Sequence, residues 1–234
     1  LYYQRLGFLP EAVVNYLGRM GWSMPDEAEK FTLEEMQAAF DISRVSLGGP
    51  VFDIEKLKWL NGLWIRESLS LDDLVRRLRD WALNREMLDR ILPHARGRIE
   101  VLSDLIPQAA YLVSGDITLD AVSFGSEGDE REQTVMQLQF VLWCLERQQD
   151  WTRDALFTAL KALADAMGLK PKALFAPLFV ALSGDKVAYS IPDSMAILGP
   201  DLTRARLRRA IEVCGGVSKK AVKRLEKDFA ALNL

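Results

Sequence analysis

The sequence predicts an all-α fold. Apolar residues recur at three- and four-residue spacing along most of the 234 residues. Capping residues open several of these stretches, and glycines close others. No run of alternating apolar and polar residues is persuasive as a strand. "RIEVLSDLI" (98–106) could be misread as one, but Ile99, Leu102 and Leu105-Ile106 return at helical spacing.

Taken in order, "LPEAVVNYLGRM" places Pro10 at a first helical position, sets Val13, Tyr16, Leu17 and Met20 on one stripe, and ends near Gly21. "TLEEMQAAF" carries a capping box, Thr32 with Glu35 three residues on. "DIEKLKWLNGLWI" has Asp53 as N-cap and Leu57, Leu60 and Trp64 on one face. Its Asn61-Gly62 costs helix propensity and points to close packing or a kink. "SLSLDDLVRRLRDWAL" repeats the device with Ser70 and Asp73, and stripes Leu71, Leu74, Leu78 and Trp81. Further helices are predicted at 85–92, 94–106, 107–113, 131–148, 152–167, 171–182, 192–198, 203–213 and 219–232, with Gly168, Gly184 and Gly215 at their ends.

Two boundaries are predicted. One lies at 67–70, where a helix ends and a new cap begins; the other is "SFGSEGDERE" (123–132), rich in glycine and charge and read as a linker. The chain thus divides into 1–69, 70–122 and 123–234.

Composition narrows the function. No apolar run approaches the roughly 20 residues of a membrane span, and the N-terminus has no basic-then-apolar signal pattern. Beginning at Leu1, the chain is read as a fragment or processed product. Cys144 and Cys214 are the only cysteines and read as buried thiols in a reducing compartment; a structural zinc lacks ligands. His94 is the sole histidine, which leaves little room for a triad, and it reads as a surface or helix-start residue.

The net charge of −3 does not announce a nucleic-acid binder, but its distribution is uneven. Between residues 59 and 160 all eleven cations are arginines. Residues 202–234 hold nine Lys/Arg against three acids, an excess of six. Arginine suits bidentate contacts and clustered lysine suits diffuse phosphate attraction, although solvated helix faces carry such runs too. No phosphate loop, GxGxxG, HExxH or GxSxG occurs, and paired carboxylates such as Asp72-Asp73 sit in first helical turns, where the dipole accounts for them. On these grounds the chain is a helical module that binds something. The candidate surfaces are the Gly48-Gly49-Pro50 loop, the arginine-rich stretch 76–98 and the basic tail.

"YYQRLGFLPEAVVNYLGRMGWSMPD", "FTLEEMQAAFDISRVSLGGPVFDIEKLKWLNGLWIRE" and "KALFAPLFVALSG" resemble the C-terminal half of bacterial glutamyl-tRNA synthetases. The resemblance spans the chain, densest over 1–68, looser over 70–170, and sharper again at 168–184 and 196–211. It implies a stem-contact fold (1–69) touching the inner corner of the tRNA, then an α-helical anticodon-binding domain in two parts (70–122 and 123–234). Such enzymes attach glutamate to tRNA(Glu) with ATP and Mg²⁺ in a Rossmann-type domain bearing HIGH-like and KMSKS-like signatures. Neither signature occurs here. The implied partner is tRNA(Glu), bound without catalysis by a cytoplasmic, monomeric protein that needs no membrane and, in this half, no cofactor.

Residue by residue, the resemblance implies tRNA contacts at Ser23 and Met24 in "GWSMPD", Ser46 in "RVSLGG", and Lys56 and Trp59 in "DIEKLKWLN". Gly48-Gly49-Pro50 would set a rigid corner that aims Ser46 and Lys56 at the backbone, while Trp64 reads as core. Arg98 in "RGRIEVLSDL" matches the arginine that reads the third anticodon base, where glutamine accompanies acceptance of tRNA(Gln) as well. A planar fork can bond two acceptors on one base edge. A solvated arginine beside Arg96 is the plainer alternative. The family pattern P-L-R-x-A-L-[ST]-G has an arginine that helps read the anticodon, but "APLFVALSG" puts Phe179 there, which can stack on a base but not bond its edge. "DKVAYSIPDSM" after Gly184 also lacks the usual residues. Two other readings stand beside the first: a helical protein-interaction scaffold without RNA, and a non-discriminating synthetase that also charges tRNA(Gln).

Overall fold

The computed structural model describes residues 2–46, 48–125, 128–185 and 189–232, and among them the secondary structure is helical, with no strand. The chain divides into two compact units, Leu1–Met87 and Leu88–Leu234.

The first unit is built on α2 (Pro10–Arg19) and α4 (Ile54–Ser68), with short α1 (Tyr2–Arg5), α3 (Leu33–Ala39) and α5 (Leu71–Trp81) around them. The predicted caps form. Thr32 and Glu35 make both bonds of a capping box, Asp53 accepts the amides of Glu55 and Lys56, and Ser70 accepts that of Asp73. Leu57, Leu60 and Trp64 are buried as their spacing predicts and meet Leu9, Ala12 and Tyr16. Asn61 explains its own presence: its Oδ1 accepts the amide of Leu9 at 2.8 Å, just before α2 begins.

Two stripes differ from expectation. On α2 the buried face is Ala12, Asn15 and Tyr16, while Leu17 is 53% exposed. The polar Asn15 goes inside because its amide serves the buried Trp64 Nε1 and Phe31 amide and the part-buried Glu29 carbonyl. On α5 no residue is buried; Leu71 is 82% and Leu78 46% exposed. Helix α5 is held by other means. Arg77 makes a bidentate pair with Glu11, which keeps that carboxyl below its usual range, and Trp81 Nε1 donates to the Arg5 carbonyl at 3.2 Å.

The second unit takes in most of α6 (Arg85–Ala95), then α7 (Leu105–Val113), α8 (Asp129–Arg147), α9 (Arg153–Ala166), α10 (Pro171–Ser183), α11 (Ile191–Val213) and α12 (Lys219–Ala230). Helices α8 to α11 pack on one another around Leu138, Leu160, Leu178 and Leu198. Gly184 closes α10 at φ 77°, and a Cβ there would lie 2.9 Å from the Thr118 carbonyl, so only glycine fits. The helices predicted at 192–198 and 203–213 both form; within α11 the chain breaks helical geometry between them at Gly199 (φ 76°, ψ 173°), just before Pro200.

The predicted 94–106 helix does not form. α6 runs through Pro93, so His94 lies in its last turn and starts no helix. The chain then turns at 96–98, and a 3₁₀ turn at Leu102–Asp104 leads into α7. Asp104 takes the amides of Glu100 and Val101 at 2.9 and 3.0 Å, a local bond that competes with the helix the apolar spacing suggested. Of the predicted linker 123–132, Ser126 and Glu127 lie outside the described residues. On either side of them, Phe124 is buried, Thr134 Oγ1 donates to the Phe124 carbonyl at 3.2 Å, and α8 has begun by residue 129.

Candidate nucleic-acid interface

All five predicted stem-contact residues, Ser23, Met24, Ser46, Lys56 and Trp59, lie in the first unit. The loop after α2 and the turn before α4 are tied together, since Ser46 N donates to the Gly21 carbonyl at 2.8 Å and Arg44 reaches the Met24 carbonyl at 3.4 Å. That tie sets exposed Ser46 beside the Ser23–Met24 strip, where Ser23 is exposed and Met24 half-buried. Lys56 approaches Glu29 at 3.7 Å. Glu29 is clasped by Arg19 and shares Lys56, so its carboxyl stays below its usual range, chiefly through the Arg19 bond. Trp59, one turn beyond Lys56 on α4, is 46% exposed. Trp64 is core, at 7% exposure, with Nε1 donating to Asn15 Oδ1 at 3.0 Å.

Neither Gly48 nor Gly49 has a positive φ, and a Cβ would meet nothing nearer than 3.4 Å. The fold therefore does not require glycine at either position. Leu47 lies outside the described residues.

In the second unit Arg98 is exposed, in the turn after α6 and not on a helix. Its amide donates to the Ala95 carbonyl at 2.8 Å, and its carbonyl accepts Gln108 Nε2 at 3.0 Å. Its guanidinium lies over the ring of Tyr189, 5.2 Å from the centroid. Phe179 lies on α10, half-buried, its carbonyl taken by Ser183 Oγ at 2.8 Å. Of the loop after Gly184, residues 186–188 lie outside the described residues.

The basic tail resolves into two kinds of cation. Those of α11 are engaged. Arg204 donates to the Leu145 carbonyl at 2.6 Å and covers the Trp151 ring, Arg208 pairs with Glu146 at 2.7 Å, and buried Arg206 donates to the Ser114 and Leu182 carbonyls. Those of α12 face water. Leu225 and Phe229 anchor the helix, Phe229 against Phe140 at 5.2 Å and Trp143 at 5.5 Å, while Lys219, Lys220, Lys223, Arg224 and Lys227 are exposed. Both thiols are unpaired, Cys214 buried and Cys144 half-buried, and burial pushes each up. Among the described residues no three His, Cys, Asp or Glu side chains gather as metal ligands would, and no helix is long and apolar enough to cross a membrane.

The residues that sequence reasoning missed are Arg19, Glu29, Arg44, Gln108 and Tyr189, which hold the named ones in place. Their only signal is polarity at positions the apolar stripes leave over, and the partners are distant in sequence.

Comparison with known proteins matches two family models to this chain. The family model described as "Anticodon binding domain" matches residues 73–211. That of "tRNA synthetases class I (E and Q), catalytic domain" matches residues 1–59. A glutamate–tRNA ligase of Cellvibrio japonicus is 56% identical over 233 residues, covering 100% of this chain and 46% of the relative. Those of Saccharophagus degradans and Marinobacter nauticus are 54% and 53% identical, covering 46% and 47% of the relatives. The chain spans about half the length of the curated relatives it matches. A solved glutamate tRNA ligase from Elizabethkingia meningosepticum aligns with TM-score 0.51 at 23% identity over 88% of this chain and 42% of that one, a likeness of fold.

Proposed function

The chain belongs to the anticodon-binding domain family, and from that premise we propose that it is the tRNA-binding half of a glutamate–tRNA ligase. The whole protein would attach glutamate to tRNA(Glu), with ATP and Mg²⁺ acting in a part that carries the nucleotide signatures absent from these 234 residues. No step of that reaction falls to the residues described here; their work is to hold and read the tRNA. The observation that carries the reading is the match of residues 73–211 to the anticodon-binding family, within a likeness to glutamate–tRNA ligases that runs the length of the chain.

Three segments share the work. Residues 1–69 touch the inner corner of the tRNA through Ser23, Met24, Ser46, Lys56 and Trp59. Unstrained glycines at 48 and 49 suit this role, because the missing Cβ atoms leave room for a phosphate to approach the backbone. Residues 70–122 present Arg98 to the last anticodon base, and 123–234 add Phe179 as a stacking surface. The protein works as a cytoplasmic monomer. A second reading, a synthetase that also charges tRNA(Gln), is favoured by Phe179, which removes one edge-reading arginine.

Filter-binding titrations test this. The chain should prefer tRNA(Glu) to an unrelated tRNA by roughly tenfold or more, and affinity should fall steeply with salt as bound counterions are released. No preference would overturn the proposal. Replacing Lys220 and Lys223 on α12 by alanine should weaken all tRNAs alike and lower the salt slope by about two, the signature of lost phosphate contacts. Arg98→Gln should reduce discrimination at the last anticodon base by about tenfold, the size of one good bidentate pair, with little change in the salt slope.

A further inference from the structure

Tyr189 stands where three helices converge. Its amide donates to Tyr111 Oη on α7 at 3.2 Å, and its carbonyl accepts from Ser194 Oγ on α11 at 3.4 Å. Those two hydroxyls bond each other at 2.7 Å, so the backbone of Tyr189 is held from both sides. The ring is 2% exposed. It lies 6.2 Å from that of Tyr111 and 5.8 Å from that of His94, in the last turn of α6. The phenol hydroxyl is buried with no hydrogen-bond partner among the described residues. What the site uses is therefore the ring and not the hydroxyl.

Over this fixed ring lies the guanidinium of Arg98, at 5.2 Å. The main chain of Arg98 is fixed as well, its carbonyl held by Gln108 of α7, the helix that also carries Tyr111. An exposed arginine on a flexible stem ordinarily pays rotamer entropy to form a two-bond contact. Here both ends of the side chain are located before any ligand arrives. We infer that Tyr189 is a positioning residue for Arg98, a buried aromatic platform that pre-orients the guanidinium for a planar hydrogen-bonding edge such as that of an unstacked base. The arrangement resides in the fold of the second unit and joins residues 91 positions apart in sequence. The inference rests on the reading of Arg98 as the residue facing the last anticodon base.

The test is a double-mutant cycle read by tRNA discrimination, the affinity ratio between tRNA(Glu) and the same tRNA with its last anticodon base replaced. Tyr189→Phe keeps the ring and should leave the ratio unchanged. Tyr189→Leu should reduce it about threefold, the scale of one exposed cation–π contact. In an Arg98→Gln background Tyr189→Leu should change the ratio no further, whereas a merely structural role would lower binding to both tRNAs by the same factor in either background. A ratio untouched by Tyr189→Leu, while Arg98→Gln abolishes it, overturns the platform alone. A ratio untouched by Arg98→Gln overturns the assignment of Arg98 and the platform with it. One measurement needs no variant that might misfold. In the unmodified chain the Arg98 side-chain protons should show ring-current shifts that those of neighbouring Arg96 lack, and coincident shifts for the two would overturn the inference.

Discussion

Replacing Arg206 by methionine should lower the stability of the Leu88–Leu234 unit by about 3–4 kcal/mol, visible as a fall of roughly 10 °C in its thermal transition. The side chain is 4% exposed, and its two terminal nitrogens donate to Leu182, in the last turn of α10, and Ser114, the residue that caps α7. Both acceptors are helix C-terminal carbonyls without a partner in their own helix, and both sit at the negative end of a helix dipole. One cation thus completes two helices from a third. Methionine fills much of the volume but supplies no donor, so the loss isolates the hydrogen bonds. Amide exchange should quicken first in α7 and α10. Because α7 carries Tyr111 and Gln108, anticodon discrimination should weaken together with the stability.

The charge of Arg206 gives this prediction a pH signature. Burial pushes the guanidinium down to about 10, with nearby Asp116 pulling the other way. Below pH 10 the group is protonated both folded and unfolded, so it contributes no slope to stability. Above pH 10 the folded state releases its proton first, the unfolded state binds more protons, and this group's contribution to stability rises with pH. The difference between Arg206→Met and the unmodified chain should therefore be flat from pH 6 to 9. A difference that varied steeply across that window would mean a different group is responsible.

The sequence makes legible what is local. The capping bonds at Thr32, Asp53 and Ser70 span two or three residues, and all three form. The face Leu57, Leu60 and Trp64 follows from helical geometry alone. Misreadings arise where a short polar bond or a distant partner outweighs periodicity. Asp104 ends a helix that the spacing of Ile99 and Leu102 would continue. The stripe through Leu71 and Leu78 identifies an apolar face but cannot say that anything covers it. The same limit governs the candidate site. The resemblance points to its individual residues, but Tyr189 under Arg98, and Arg19 with Glu29 beside Lys56, depend on contacts between segments that no periodicity encodes.

Asn15→Leu should have a comparable effect on the other unit, destabilising Leu1–Met87 by about 3–5 kcal/mol, because the buried Trp64 Nε1 and Phe31 amide and the part-buried Glu29 carbonyl lose their partner together. Asn15 is 2% exposed; its Oδ1 accepts from Trp64 Nε1 at 3.0 Å and from the Phe31 amide at 3.3 Å, and its Nδ2 donates to the Glu29 carbonyl at 3.2 Å. Leucine matches the volume but answers none of them. The effect reaches the proposed stem-contact face through Glu29, whose backbone Asn15 holds and whose carboxylate stands between Arg19 and Lys56. Releasing it frees Lys56 from a fixed neighbour and loosens the segment beside Met24. Urea titration followed by hydrogen exchange should show protection lost in α2 and α4 while α8 to α11 retain theirs. Affinity for tRNA(Glu) should fall, yet the ratio between tRNAs differing at the last anticodon base should hold, because Arg98 and Tyr189 belong to the other unit. Arg206→Met should do the reverse, weakening that ratio while protection in α2 and α4 persists. If both variants moved the ratio equally, the assignment of stem contact to the first unit and base reading to the second would fail.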